Sequence, residues 1–365
     1  MSDSAIKKRN KIIRCRLSED EIDCLVVTKP ANVTYVTGFS GDDSWAVITG
    51  RKVYLVTDSR YTEQAEKECR GCGIIERKKP MVETVGGLLR KLKFVRTAAV
   101  EKTTSIAAFE GLKKSSGRRF KQAENIIEAV RSSKDEGEIA AVRTAAQIAA
   151  KAIEQTIRDV RPGITENELA GLLDLQIRRL GAKSSFETIV AFGSNASLPH
   201  HQPGKRKLKK NDTILIDFGV RYENYCCDLT RCFVIGRINP FYEKVYNAVL
   251  EAQAAAIKMV KAGAEIRKID AAAQEAIRRY NLPVYGHGTG HGLGLEVHEG
   301  PAVSSQSKGE LKAGEIITIE PAVYMPGKLG VRIEDDVLVK ENGCEILSRN
   351  CPKQLFIIST GQDLC

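Results

Sequence analysis

The sequence predicts an α/β (α+β) chain in which a small N-terminal α/β domain precedes a larger second domain, and three observations carry that reading. Short apolar runs alternate with turn signals through the first part, and near Asp135 the texture changes to long amphipathic helical patterns. The second part then repeats itself weakly, each half running helix, helix and β-hairpin. The expected domains are residues 1–130 and 131–365.

In the first domain, Cys24–Thr28, Trp45–Thr49 and Lys52–Thr57 are apolar, β-branched-rich runs between Gly- and Asp-rich turns, and are expected as strands. Helical patterns follow at about Tyr61–Cys69 and Val82–Leu92. In the second domain, Glu136–Asp159 sets Ala and Ile against a charged face, as an amphipathic helix does. Arg161-Pro-Gly163 ends it, and Thr165 with Glu168 forms a capping box that opens the next helix. Strands are expected around Glu187–Ala191 and Thr213–Phe218, and helices at about Pro240–Ala262 and Ile266–Arg279. The two hairpins span about 213–235 and 315–340.

Composition narrows the function classes. A net charge of +10 invites a nucleic-acid reading, but the basic residues are scattered. The densest run, Lys205-Arg206-Lys207 with Lys209-Lys210, has no interleaved aromatics and reads as a solvated loop. No stretch approaches the ~20 apolar residues of a membrane span. The N-terminus has charge without an apolar core, so a cytoplasmic protein is expected, with its ten cysteines reduced. Cys69-Arg-Gly-Cys72 has no second pair to complete a zinc site.

Acids and histidines carry the chemistry. Asp217 ends the apolar run Thr213-Ile-Leu-Ile, where a lone carboxylate is costly unless paired or bound to a cation. A hairpin centred between Tyr222 and Glu223 would set Asp217 directly opposite Asp228. A second hairpin centred on Gly327 would set Glu320 opposite Glu334. Four carboxylates gathered at one point cannot all stay ionised without a cation between them. All five histidines lie in two short segments, His200-His201 and the Gly-rich stretch Gly286–Glu299 that holds His287, His291 and His298. One imidazole with four carboxylates is a hard, oxygen-rich donor set, which favours Mn²⁺, with Co²⁺, Fe²⁺ or Zn²⁺ as alternatives. The glycine alternation at 286–294 is not a dinucleotide fingerprint, since no helix opens after it.

Asp217-Phe-Gly, Asp228-Leu-Thr-Arg, Gly290-His-Gly-Leu-Gly-Leu-Glu-Val-His-Glu299, Thr318-Ile-Glu-Pro321 and Val331-Arg-Ile-Glu-Asp335 together resemble the pita-bread metallopeptidases, a group that includes methionine aminopeptidase, aminopeptidase P, prolidase and creatinase. Thr34-Tyr-Val-Thr-Gly-Phe-Ser-Gly41 and Val56-Thr-Asp-Ser-Arg-Tyr-Thr-Glu63 look like the N-terminal domain of the aminopeptidase P and prolidase branch. The resemblance implies a creatinase-like first domain and a pita-bread second domain with a pseudo-two-fold repeat. It also implies two divalent metal ions held by Asp217, Asp228, His291, Glu320 and Glu334, with Asp228 and Glu334 bridging them. Glu320 would double as general base and acid, working on a metal-bridged hydroxide. His298 and His200 would hold substrate and stabilise the oxyanion, while His287 and Arg332 would bind substrate in the cleft. A homodimer is likewise implied.

The implied reaction is hydrolysis of the Xaa-Pro bond of proline-containing dipeptides or short peptides. Methionine aminopeptidase lacks such an N-terminal domain, and creatinase is metal-free where this ligand set is intact. The branch often carries Arg soon after the His-Glu pair, where it meets a dipeptide's carboxylate. This chain has His298-Glu-Gly-Pro-Ala302, which keeps aminopeptidase P action on longer peptides open. Ala322 is a second departure, standing where Gly usually follows Glu-Pro. A non-catalytic binding protein on the same fold is the alternative of another class, and the intact acids and histidines argue against it.

Overall fold

The computed structural model describes residues 3–69 and 71–358. The chain divides between Arg131 and Ser132 into two compact units.

The first unit is built on a six-stranded mixed sheet. Its strand order is Gly73–Glu76, Val53–Thr57, Trp45–Thr49, Cys24–Val27, Thr97–Glu101, Arg119–Ala123. The three strands expected from sequence form its antiparallel centre, and parallel strands flank them on both sides. Val26, Val47, Val56, Val85, Leu89 and Val100 pack together as its core. Helices Pro30–Thr37, Ile106–Ser116 and Asp3–Glu19 have no counterpart in the sequence reading, and the longest of them is Asp3–Glu19. Its buried stripe is Ile6, Arg9, Asn10, Ile13 and Leu17, so two of five inward positions are polar and the apolar period is masked. Arg9 lies 4.5 Å over the Tyr35 ring, and the Asn10 amide donates to Val36 O at 2.8 Å. In the Cys69/Cys72 pair, burial pushes both thiols up, to about 12 and about 11. Such thiols are poor nucleophiles.

The second unit repeats one plan. Helices Glu136–Thr156 and Glu166–Arg179 accompany a four-stranded sheet ordered Phe356–Ile358, Leu229–Ile235, Thr213–Phe218, Ile189–Phe192. Helices Pro240–Met259 and Ile266–Arg279 accompany a five-stranded sheet ordered Glu299–Val303, Gly290–Gly292, Ile316–Ile319, Asp335–Lys340, Gly343–Ile346. The Thr165–Glu168 capping box is present, with Glu168 N–H donating to Thr165 Oγ1 at 3.2 Å and Thr165 N–H to Glu168 Oε2 at 2.7 Å. Two buried cores result, one around the first helix pair and one around the second, and the latter also takes in Leu215, Cys232 and Val234 of the first sheet.

The second hairpin has the expected register. Pairs such as Ala322–Arg332 on one side and Ile319–Asp335 on the other bracket Glu320 facing Glu334. The first hairpin requires a correction. It turns on Glu223–Asn224, both at positive φ (46° and 71°), one residue later than expected. Two such residues make the type I′ geometry that matches the right-handed twist of the flanking strands. Thr230, not Asp228, is therefore the cross-strand partner of Asp217. Moving a turn centre by one residue moves each partner by two, which preserves the face. Asp228 thus stays on the same side as Asp217, one pair along. Among the described residues, no helix is long and apolar enough to cross a membrane.

Candidate metal centre

The five expected metal ligands sit at ends and interruptions of the two hairpins. Asp217 is the penultimate residue of its strand, and Asp228 immediately precedes Leu229–Ile235. Glu320 follows Ile316–Ile319, Glu334 separates Leu329–Arg332 from Asp335–Lys340, and His291 is the middle of a three-residue strand. Where the ladders break, the backbone amides bond across to other segments. Glu334 N–H donates to Thr230 O at 3.3 Å, and Glu320 N–H to Thr289 O at 2.8 Å. Asp228 N–H donates to the Asp336 carboxylate at 3.2 Å. Two of these bonds tie the hairpins to one another, and the third ties Glu320 to the segment just before Gly290–Gly292.

All nine residues singled out from sequence line one cavity of about 290 Å³: Asp217, Asp228, His291, Glu320, Glu334, His200, His287, His298 and Arg332. Phe186, Ile189, Pro199, Val297 and Tyr324 add an apolar and aromatic wall. Close strand approach explains the glycines around His291. A Cβ on Gly290 would lie 1.9 Å from Thr318 O, and one on Gly292 2.1 Å from Gly300 O.

Asp228, His291 and Glu334 each present a donor atom, and these lie within 4.8 Å of one another. His291 Nδ1 faces Gly292 O at 3.0 Å, so the ring proton belongs there and the Nε2 lone pair faces the acids. Nε2 is 3.3 Å from Glu320 Oε1 and 3.7 Å from Asp228 Oδ2. Burial is the main cause that raises the Asp228 and Glu334 carboxyls well above their ordinary range, and repulsion from neighbouring acids adds to it. Burial also raises Glu320, against the opposing charges of Arg332 and His287. His291 is lowered, chiefly by burial, and His298 by burial and by His291, whose ring centroid is 4.4 Å away.

A divalent cation fits this donor set. The oxygens and the imidazole are of the right hardness, and buried carboxylates in repulsion are relieved by positive charge. Asp217 Oδ1 is buried and finds no hydrogen-bond partner among the described residues. Its Oδ2 accepts from Arg332 Nη2 at 2.5 Å.

Arg332 is nearly fully buried and committed to the protein. Besides Asp217, it donates to Thr230 Oγ1 at 3.0 Å, Tyr324 Oη at 2.5 Å and Pro199 O at 3.4 Å. His287 donates from Nδ1 to Gly288 O at 2.7 Å and stacks on Tyr285 with centroids 4.8 Å apart. His201 lies off the cavity, its Nε2 2.9 Å from the buried Glu166 carboxylate. Cys226 and Cys227 do not line the cavity either, and burial raises both thiols, Cys226 to about 12 and Cys227 well above its ordinary value. Both pack; neither is poised for metal.

Sequence reasoning missed Thr230, Thr318, Tyr324 and Asp336. Thr318 Oγ1 donates to Glu320 Oε1 at 3.1 Å and accepts from His291 N–H at 3.0 Å. Thr230 was discoverable, since the two-residue strand period sets it on the face of Asp228 within Asp228-Leu-Thr-Arg231. Its hydroxyl donates to Glu334 Oε2 at 2.7 Å and accepts from Arg332. Thr230→Val removes both bonds and strands a buried guanidinium N–H. The expected cost is ~1–3 kcal/mol by denaturant titration, and a ~10-fold loss of Mn²⁺ affinity by calorimetry.

The two-unit fold and the buried acid–histidine cavity define a metal-dependent hydrolase. The chain matches the Creatinase/Prolidase N-terminal domain over residues 9–133 and metallopeptidase family M24 over residues 140–341. It is 34% identical to an Xaa-Pro dipeptidase of Pyrococcus furiosus over 91% of this chain and 95% of that one. The solved structure of an Xaa-Pro dipeptidase from Bacillus anthracis superposes with a TM-score of 0.92 at 33% identity, covering 96% of this chain and 99% of the other. An X-Pro aminopeptidase from Thermotoga maritima superposes at 0.88 with 37% identity, covering 94% and 100%. The chain belongs to metallopeptidase family M24 and is a metallopeptidase. It therefore works with divalent metal, and Asp228, His291 and Glu334 form a cluster able to hold it.

Proposed function

We propose that this metallopeptidase hydrolyses the Xaa-Pro bond at the N-terminus of dipeptides and short peptides. Two divalent cations, Mn²⁺ by preference, would be held by Asp217, Asp228, His291, Glu320 and Glu334. The observation that carries this reading is the convergence of those residues with three further histidines and Arg332 in a single cavity. Relatives named Xaa-Pro dipeptidase and X-Pro aminopeptidase, matched along nearly their whole length, support the substrate class.

Bound cations would supply Lewis acidity, drawing the pKa of a water toward neutrality and polarising the scissile carbonyl. Glu320 carries the proton. Burial raises its carboxyl, so it takes a proton from water and returns it to the departing proline nitrogen. His298, held neutral by burial and by His291, donates an N–H to the developing oxyanion, with His200 on the same cavity wall. Phe186, Ile189 and Val297 give the pyrrolidine ring an apolar surface. His287, oriented by Gly288 O and Tyr285, faces the cleft beside Tyr324. A homodimer, implied by the family resemblance, and a cytoplasmic location, expected from the N-terminal sequence, complete the proposal.

Arg332 bears on substrate length. With Nε, Nη1 and Nη2 all donating to protein acceptors, it anchors Asp217 rather than offering a free fork to a dipeptide's carboxylate. The segment after His298 holds no arginine either. Both observations favour the second reading, aminopeptidase P action on longer Xaa-Pro peptides. Kinetics of the Mn²⁺-loaded protein on Ala-Pro and Ala-Pro-Ala decide between them. Dipeptidase action predicts turnover of Ala-Pro; cleavage of the tripeptide alone establishes the second reading, and cleavage of neither overturns both.

A further inference from the structure

Asp270 is a fully buried carboxylate, 1% exposed, on the helix Ile266–Arg279. It does not line the cavity, and the proposed chemistry makes no use of it. Its Oδ1 accepts twice from Thr289, from the backbone N–H at 3.2 Å and from the hydroxyl at 2.7 Å, and Oδ2 accepts from Gln274 at 2.9 Å. The Thr289 hydroxyl, having given its proton to Asp270, accepts from Tyr285 Oη at 2.6 Å. Two lines run onward to the cavity from this threonine. Its carbonyl accepts the Glu320 N–H at 2.8 Å, and the Tyr285 ring it anchors stacks on His287.

We infer that Asp270 is a positioning residue that sets the backbone of Glu320 through Thr289 and the ring of His287 through Tyr285. A carboxylate is suited to this because one oxygen can take two donors, and charge-assisted bonds are stronger than neutral ones. Gly290 reinforces the need for a fixed backbone, since its Cα is pressed against Thr318 O with no room for a Cβ. The other half of the fold uses the same device. Asp174, on the helix Glu166–Arg179, accepts from Thr188 Oγ1 at 3.0 Å, and the next residue, Ile189, pairs with Asp217. In each half, a helix-borne aspartate grips the threonine at the start of a strand that borders the acids.

The role in catalysis rests on the Xaa-Pro peptidase reading, so the test carries a readout independent of turnover. Asp270→Ala and Asp270→Asn are compared with the parent as full-length, Mn²⁺-loaded proteins. The expected result for Asp270→Ala is faster amide hydrogen exchange in the segments holding Thr289 and Glu320, with metal content retained. Its kcat on the better of Ala-Pro and Ala-Pro-Ala should fall ~10–100-fold while KM changes less than about three-fold. Asp270→Asn keeps an oxygen acceptor for Thr289 and should recover most of the kcat. Thr289→Val, which keeps the backbone bonds and loses the hydroxyl, should lower kcat less than Asp270→Ala and serves where the alanine variant does not fold. Unchanged exchange and kcat in Asp270→Ala, or in Thr289→Val if it stands alone, overturn the proposal, as does an asparagine variant no better than alanine. If the parent cleaves no Xaa-Pro peptide, the functional reading fails, and hydrogen exchange still decides whether Asp270 holds Glu320.

Discussion

Glu320→Gln is expected to lower kcat by ~10²–10⁴-fold, the span attributed to a positioned general acid–base. Glutamine preserves shape and keeps an oxygen for the Thr318 hydroxyl that now donates to Oε1. It cannot accept and return a proton. The carboxyl is suited to that task because burial raises it, while Arg332 and His287 hold the rise in check. Because Glu320 is also a proposed ligand, elemental analysis must accompany the kinetics. A variant that retains its metal and keeps kcat within about ten-fold of the parent would show that the proton travels by another group. A variant that loses metal and activity together would assign Glu320 to ligation first; restoring the metal by excess Mn²⁺ then isolates the proton-transfer loss.

The site was legible because chemistry concentrates in few residue types. Five histidines in two segments, and acids inside apolar strands, have few bland explanations. The register of the second hairpin followed from one glycine turn. That of the first did not, because Tyr222-Glu-Asn-Tyr225 holds no glycine, and which two residues take positive φ depends on the strands as they pair. Hydroxyl partners such as Thr230 and Thr318 were harder to see, since threonine is ordinary in strands and only tertiary geometry turns it toward an acid. The N-terminal helix escaped notice for a related reason. Its inward Arg9 contacts the Tyr35 ring and the Asn10 amide donates to Val36 O, partners remote in sequence. Asp270 is the clearest case. Within Ile266–Arg279 it reads as one more charge on an amphipathic helix, and only the fold reveals that it faces Thr289.

Stripping the metal is expected to produce a protein whose stability falls as pH rises from about 6.5 to about 8, below the range in which unfolded thiols titrate, and Mn²⁺ should restore it most at the alkaline end. The sign follows from the acids. Asp228 and Glu334 have folded-state pKa values well above ordinary, so the folded metal-free chain binds protons that the unfolded chain has released. Their stabilising contribution is fully present below the unfolded pKa of about 4 and is lost as pH climbs through the raised folded values. His291 and His298 are lowered and act in the opposite sense. Their contribution is present above the unfolded pKa of about 6.5 and is lost on acidification. The acids, with buried Asp336 acting in the same sense, therefore dominate above it, up to about pH 8 where the raised, buried thiols begin to add to the fall. A cation replaces the retained protons, so its affinity and its stabilisation grow with pH. At one hundred times its Kd, a single site adds about 2.7 kcal/mol, or roughly 5–10 °C for a unit of this size. Thermal melts with EDTA and with MnCl₂ across this window measure both effects, and Asp228→Asn should flatten the slope of the metal-free protein. Should metal-free melting hold level or rise with pH, and the Mn²⁺ increment stay constant, the acids would not be the repelling cluster that binds the cation.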